Sequence, residues 1–236
     1  MKRFNFNFNM ARGNHVVLSC WLVLHAFWMP MLSSELMRRF PDMMGVVEYN
    51  TIYYLISTIV VLLFGWHYLR RDFDTLMDNG FGTIVMLLRA FFINLALSFF
   101  AAQIIVMITG GDLNWLLGAG EAVGPELSDS EIYKITALTA FLGPVIEEVL
   151  FRGCVFGWMR DKNRLAAYVC SVGLYVLAHV WQYAIQSGMD SSTLLYAISY
   201  LPGAFVLAWC YDRTGSIWTG ILFNIGTNLF GLNLFF

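Results

Sequence analysis

Two adjacent carboxylates and a guanidinium lie within an apolar stretch of the chain, residues 143–152. Glu148 and Arg152 are four residues apart, so on a helix they share a face and can form an ion pair. Glu147 is rotated by about 100° from Glu148 on the same helix, away from that pair. A carboxylate without a cation partner can take a proton from water as a general base. The spacing therefore predicts a structural Glu148–Arg152 ion pair and a catalytic Glu147.

Three further polar side chains fall at a similar depth in later apolar segments. At the α-helical rise per residue, Glu147 and His179 lie about 20 Å and 22 Å from the basic loop that separates their two segments. Asn224 and Asn228 lie about 16 Å and 22 Å from the next basic position, and their i,i+4 spacing puts them on one helix face. Polar groups at this depth usually mark function, so we predict one site from these four residues. For Glu147, Glu148 and Arg152, the alternative is that all three form a packing network between helices.

The composition is that of a protein that lives in a membrane. Of the 236 residues, 58% are hydrophobic and 13% are charged, whereas soluble domains average about 25% charged residues. This excludes a soluble enzyme, a disordered chain and a disulfide scaffold. The formal net charge of −2 offers no basic surface, which argues against nucleic acid as a partner. The four cysteines lie in apolar runs without C-x-x-C spacing, and we expect them to be buried and reduced.

Seven apolar segments approach the roughly 20 residues that a membrane-spanning helix needs. They lie near residues 16–32, 50–69, 83–108, 131–159, 164–183, 193–211 and 215–233. The predicted fold is all-α, a polytopic membrane helix bundle of about seven transmembrane helices in a multi-pass arrangement. Residues 1–130 would hold the N-terminal helices and an acidic outer loop, and residues 131–236 the catalytic core, within one continuous membrane domain.

The distribution of Lys and Arg predicts the orientation of the bundle. With the N-terminus inside, most basic residues fall in inside segments, including the turn at residues 160–164. Arg38 and Arg39 fall in the first outside loop, against the rule. Two other polar residues within the spans, His25 and Asn94, are expected to serve packing and interhelical hydrogen bonding.

Three short motifs follow one another on the last predicted helices. The pattern E-E-x-x-x-R stands at 147–152; F-x-x-x-H stands at 175–179, with Tyr175 in the place of Phe; H-x-x-x-N stands at 224–228, with Asn224 in the place of His. With these motifs, residues 131–233 resemble the CPBP family of intramembrane proteases. That family includes the type II CAAX prenyl endopeptidases and the bacterial Abi proteins.

The resemblance implies hydrolysis of a peptide bond by a water that Glu147 and His179 activate. Asn224 and Asn228 would donate hydrogen bonds to the carbonyl oxygen of the substrate. The implied partners are a membrane-associated peptide or protein substrate and the lipid bilayer. The family is often described as metalloproteases, but catalytic zinc usually takes three strong ligands, and carboxamides are poor ones. We therefore predict no metal and no cofactor, with zinc left as an alternative.

Asn224 in the place of His is also compatible with a protein that has lost activity. The alternative function is a non-catalytic membrane scaffold or regulator of the same fold that binds a partner membrane protein. A transporter would show paired broken helices in two related halves, which the sequence lacks.

Overall fold

Helices account for almost all of the chain that the structure describes. The computed structural model describes residues 10–40, 45–111, 128–186 and 191–229. Over these ranges the chain forms seven helices and no strand. The predicted all-α fold is confirmed, and each of the seven predicted spans corresponds to one helix. The predicted acidic loop at residues 112–127 lies outside the described residues.

Five helices are continuous and two contain π-helical segments. The continuous ones are α2 (Val46–Asp78), α3 (Gly80–Ile108), α5 (Arg164–Gln186), α6 (Ser191–Thr214) and α7 (Ile217–Leu229). Helix α1 consists of Arg12–Val23, a π-helical turn Leu24–Trp28 and Met29–Arg39. Helix α4 consists of Asp129–Ala137, a π-helical turn Leu138–Leu142, Gly143–Glu147, a π-helical segment Glu148–Gly157 and Trp158–Arg160.

Five of these helices are long and apolar enough to cross a membrane: α1, α2, α3, α5 and α6. Large apolar side chains on them face outward, such as Leu63 and Met107, which are 71% and 81% exposed. Exposure of this kind over whole helices is favourable in lipid and unfavourable in water. Helix α4 carries charged residues at its centre, and α7 is described over 13 residues. The long apolar helices show a membrane protein, and in the described part of α7 only Leu222 and Leu229 are exposed large hydrophobic side chains.

The cysteines correct one expectation. All four are free, and Cys154 and Cys210 are buried, but Cys20 and Cys170 are exposed. The prediction of burial was wrong for these two because an apolar run in a membrane helix has a side that faces lipid as well as a side that faces the bundle.

A proline follows each of the two short π-helical turns by two residues. Pro30 follows the turn in α1, and Pro144 follows the turn in α4. Proline has no N–H, and its ring crowds the carbonyl four residues before it, so the preceding turn widens. In α1 that carbonyl belongs to Ala26, and it accepts a hydrogen bond of 2.8 Å from Trp181 Nε1 instead. This bond ties α1 to α5 next to His25.

The start of α7 is anchored on α2. The backbone turns at Gly215, where φ is +67°, a conformation that favours glycine. The buried carboxylate of Asp72 then accepts a hydrogen bond of 3.0 Å from the backbone N–H of Ile217, and Ser216 Oγ donates to the Asp72 carbonyl at 2.6 Å. An acidic side chain that satisfies the first N–H groups of a helix is a strong cap. This cap places the carboxamides of α7 within the bundle.

The orientation of the bundle gives a prediction that labelling can check. With cysteines introduced at Ser128 and Asn163 in a background without native cysteines, we expect an impermeant thiol reagent to label Ser128→Cys in intact cells and not Asn163→Cys. Both positions are exposed, so neither is shielded by the fold. After the cells are permeabilised, both variants should label, which is the control. Labelling of Asn163→Cys in intact cells would show that the bundle has the opposite orientation.

Candidate active site

The carboxylate of Glu147 faces the imidazole of His179 inside the bundle. Glu147 Oε1 lies 3.8 Å from His179 Nε2, and the two side chains are 20% and 25% exposed. Glu147 comes from the middle of α4 and His179 from α5. The two helices pack closely along the π-helical segment of α4, which brings together residues that are 32 positions apart.

A backbone contact determines the tautomer of His179. Its Nδ1 lies 2.8 Å from the carbonyl oxygen of Tyr175, one helical turn earlier. A carbonyl can only accept, so Nδ1 carries the hydrogen. In the neutral ring Nε2 then carries the lone pair. With the ring neutral, Nε2 and Glu147 Oε1 are two acceptors that face each other across a gap too wide for a direct hydrogen bond.

The other oxygen of Glu147 receives two donors. Tyr175 Oη donates to Glu147 Oε2 at 3.2 Å, and Asn224 Nδ2 donates to the same oxygen at 3.4 Å. Tyr175 and Asn224 are the two positions at which the motifs of this chain depart from the family pattern. A Phe at 175 could make no such bond. The sequence identified the substitutions, but only the packing of α5 and α7 around α4 brings both to one oxygen.

A cavity of about 520 Å³ surrounds these groups. Glu147, His179, Asn224 and Asn228 all line it, so the structure brings the four predicted site residues together. Asn94 of α3 also lines it, buried and with its Oδ1 unpaired among the described residues. The sequence predicted interhelical hydrogen bonding for Asn94 and did not predict that it lines the cavity.

Glu148 and Arg152 form a contact that is separate from this cavity. Glu148 Oε1 lies 3.0 Å from Arg152 Nη1, and both side chains are fully buried. The contact is ionic without hydrogen-bond alignment, because neither oxygen of Glu148 accepts a well-oriented bond within the described residues. Arg152 Nη2 donates to the Ala204 carbonyl at 3.2 Å, and the guanidinium lies 4.4 Å from the ring centre of Tyr175.

His25 lies nearer to the site than the sequence suggested. It hydrogen-bonds to the hydroxyl of Tyr53, and it lines a second cavity, of about 340 Å³, together with Glu147 and His179. Tyr54 lines both cavities. His25, Tyr53 and Tyr54 belong to α1 and α2, which the family motifs do not cover. A histidine within an apolar helix was the only signal in the sequence that His25 could belong to the site. The sequence of α1 does not show which residues of other helices His25 contacts.

Zinc can be tested against the donors that the site offers. A separation of 3.8 Å between Glu147 Oε1 and His179 Nε2 would accommodate a metal bound by two bonds of about 2.0–2.2 Å. The other polar groups on the wall of the larger cavity are carboxamides and hydroxyls, His25 in the smaller cavity is bonded to Tyr53, and Glu148 is held by Arg152. No three His, Cys, Asp or Glu side chains of the described residues are placed to share a metal ion. The donor set does not fit a catalytic zinc site.

Fold and site together define a multi-helix membrane protein with a carboxylate, an imidazole and two carboxamides at an internal cavity. Residues 130–230 match the family model described as type II CAAX prenyl endopeptidase Rce1-like. The matched residues run from α4 to α7 and include every predicted site residue, so the resemblance seen in the motifs is confirmed. No curated protein and no solved structure gives a significant match to the chain.

The close approach of α7 to Glu148 gives a prediction about stability. A Cβ at Gly220 would lie 2.6 Å from Glu148 Oε2, and that carboxylate cannot swing away without leaving Arg152. We expect Gly220→Ala to lower the free energy of unfolding by about 1–3 kcal/mol, the usual effect of overpacking. The measurement is thermal unfolding in detergent.

Gly226→Ala on the same helix is the matched control. Nothing lies within 4 Å of a Cβ at Gly226, so this change should be neutral or raise stability by up to about 1 kcal/mol. Equal destabilisation by both substitutions would show that α7 resists alanine for a reason other than the contact with Glu148.

Proposed function

We propose that the protein is an intramembrane endopeptidase that hydrolyses a peptide bond of a membrane-associated peptide or protein at the Glu147–His179 pair. The observation that carries the proposal is the 3.8 Å gap between two acceptor atoms, Glu147 Oε1 and His179 Nε2. Two acceptors without a hydrogen between them repel. A water molecule relieves this, because its two O–H groups can donate to both.

A water held in this way is placed for attack on a carbonyl carbon. As its oxygen bonds to the carbon, one of its protons passes to Glu147, which acts as the general base. The imidazole of His179 holds the second hydrogen and orients the oxygen lone pair. When the tetrahedral intermediate collapses, the C–N bond breaks and Glu147 returns the proton to the leaving nitrogen.

The carboxamides of α7 supply the hydrogen bonds that the developing oxyanion needs. The amide of Asn224 has two hydrogens, so it can bond to Glu147 Oε2 with one and to the oxyanion with the other. Asn228 lines the same cavity one turn further along the helix. Amide donors directed at an oxyanion in a low-dielectric site are among the largest contributions to catalysis of acyl transfer.

Tyr175 acts on the reaction through Glu147. Its hydroxyl and the Asn224 amide occupy Oε2, which leaves Oε1 turned toward His179. Its ring is held in turn by the Arg152 guanidinium. We therefore assign Tyr175 as a positioning residue that keeps the basic oxygen of Glu147 in line with the water.

The larger cavity is placed to receive a peptide from the membrane. Its walls come from α2 to α7 and include Ser98 of α3 and Thr136 of α4. Among the described residues, helix α3 packs on α6 and α7 and makes few contacts, if any, with the first part of α4. A peptide segment in the bilayer can approach between helices that do not pack tightly. This supports a membrane-associated substrate and a place for the protein in a cell membrane, with several passes through it.

The division of roles between the two glutamates gives the main functional prediction. We expect Glu147→Gln to accumulate normally and to abolish hydrolysis, because the amide keeps the shape of the side chain and cannot take a proton. Arg152→Ala should instead lower abundance, since an unpaired buried charge costs about 3–5 kcal/mol. Comparative peptidomics of membranes that contain either the wild-type protein or Glu147→Gln would measure the loss of cleavage and identify the cleaved peptide.

The scaffold hypothesis makes a different prediction for the same pair of variants. A protein that only binds a partner would leave the peptide profiles of wild-type and Glu147→Gln membranes identical. Equal loss of folded protein in Glu147→Gln and Arg152→Ala would contradict the proposed division into a catalytic and a structural carboxylate.

Asn224 gives a second functional prediction. If it donates to the oxyanion, Asn224→Ala should lower kcat by about 10²–10³-fold, the usual loss for one such donor, with little change in substrate binding. Asn224→His should recover part of the rate, because a neutral imidazole donates one hydrogen bond. The measurement is steady-state cleavage, in detergent, of the peptide that peptidomics identifies. An unchanged kcat in Asn224→Ala would remove the residue from the mechanism.

Chelators provide the test of the metal. Because the donor set lacks a third strong ligand, we expect the cleavage rate to be unaffected by chelation and the purified protein to lack stoichiometric zinc. Bound zinc, with activity lost on its removal and regained on its return, would overturn the metal-free mechanism.

A further inference from the structure

Two cavities meet at the Glu147–His179 pair. The larger one, of about 520 Å³, and the smaller one, of about 340 Å³, share Glu147, His179 and Tyr54 in their walls. Asn224 and Asn228 line only the larger cavity. The acceptors that would hold the water are therefore reached from both sides, whereas the donors for the carbonyl oxygen lie on one side.

The smaller cavity is lined by neutral hydrogen-bonding groups. Beyond the shared residues, its polar side chains are His25, Ser33, Tyr49, Asn50, Tyr53 and Gln182. Among the described residues, no Lys or Arg lines it, so no cationic side chain there would attract an anion. Water needs two to four polar partners at each position, and such a wall supplies them along its length.

The smaller cavity extends from an end of the bundle toward its middle. Ser33 lies close to the end of α1, where Glu35 pairs with Arg38 and both side chains are well exposed, at 41% and 72%. Exposed charges of this kind lie outside the hydrocarbon. Eight residues separate Ser33 from His25, about 12 Å along a helix. The cavity therefore links the polar end of α1 to the site.

Hydrogen bonds between helices fix the positions of the walls of the smaller cavity. Tyr49 Oη on α2 donates to the Met29 carbonyl on α1 at 2.7 Å. Trp181 Nε1 on α5 donates to the Ala26 carbonyl at 2.8 Å, and Tyr53 bonds to His25. Each bond joins α1 to α2 or to α5, and these three helices surround the cavity together with α4. The space is thus a feature of the folded bundle.

We propose that the smaller cavity is the path by which water reaches the catalytic pair, while the peptide occupies the larger cavity. This inference rests on the proposed hydrolysis. A carbonyl held by Asn224 and Asn228 lies on the side of the larger cavity, and the peptide that fills this cavity displaces its water. Each turnover consumes one water, which then enters between Glu147 Oε1 and His179 Nε2 from the other side.

Ser33 and Ser34 allow a matched test. Both hydroxyls donate to the Pro30 carbonyl, at 3.0 Å and 3.1 Å, but only Ser33 lines the smaller cavity. Each is changed to Cys in a background without native cysteines and modified with a charged, water-soluble methanethiosulfonate reagent. Ser98→Cys, in the wall of the larger cavity, serves as the third variant.

The kinetic readout uses the peptide that the comparison of wild-type and Glu147→Gln membranes identifies. Modification of Ser33→Cys should lower kcat by about tenfold or more and leave KM within about twofold, because it obstructs water and not the peptide. Modification of Ser34→Cys should change neither. Modification of Ser98→Cys should raise KM. An unchanged kcat after complete modification of Ser33→Cys would overturn the proposal.

Protection by the peptide separates this proposal from its alternative. In the Glu147→Gln background, bound peptide should slow the modification of Ser98→Cys and leave that of Ser33→Cys unchanged. Protection of Ser33→Cys would place the peptide in the smaller cavity and overturn the proposal. The rate of modification without peptide can be measured even if the protein hydrolyses nothing. If Ser33→Cys reacts readily but the otherwise wild-type protein cleaves no peptide, the proposed function is refuted and the water path is not. If Ser33→Cys does not react, the water path itself is refuted.

Discussion

The buried ion pair between Glu148 and Arg152 is the contact on which the arrangement of the last four helices depends. Both residues belong to α4, but Arg152 bonds to the Ala204 carbonyl on α6 and lies over the Tyr175 ring on α5, while Glu148 packs against Gly220 of α7. Both charges are fully buried. Such a pair adds little net stability compared with apolar side chains, because desolvation offsets the attraction. Its consequence is specificity: any shift of α5, α6 or α7 would remove partners from a charge in a low-dielectric interior. The neighbouring Glu147 can therefore face a cavity in a defined geometry.

The π-helical segments coincide with the parts of the bundle that form the site. One contains His25, a second contains Thr139 and Ala140 in the wall of the larger cavity, and the third begins at Glu148. Segments of this kind widen the helix and leave carbonyls that other donors can reach, as Trp181 does at Ala26. Proline explains the position of two of them. A widened turn also makes room between helices, which is consistent with two cavities that meet at this level of α4.

The sequence predicted more of the site than of its surroundings. The i,i+4 spacing of Glu148 and Arg152, the equal depth of Glu147 and His179, and the shared face of Asn224 and Asn228 follow from the geometry of one helix at a time. The structure brings these groups to one cavity. The contributions of the first three helices were missed. His25 lines the smaller cavity together with the pair, and Asn94 lines the larger one, although the sequence indicated only packing roles for them. No periodicity within one helix shows which residue of another helix it will face.

The sequence by itself determined that the chain forms a bundle of apolar helices, because long apolar runs and sparse charge are unfavourable in water; seven were predicted, and five of the seven helices in the described residues are long and apolar enough to cross a membrane. It also determined which residues lie at the same depth, since the rise of a helix is constant. Only the tertiary structure decided how each helix is rotated and which neighbour it packs against. Rotation explains why Cys20 and Cys170 face outward, and why Tyr175 and Asn224 converge on one oxygen of Glu147. These features depend on close packing between helices that are distant in sequence. Because lipid is as apolar as the helix surfaces that pack together, the composition of a helix does not show which side faces lipid and which side faces a neighbour.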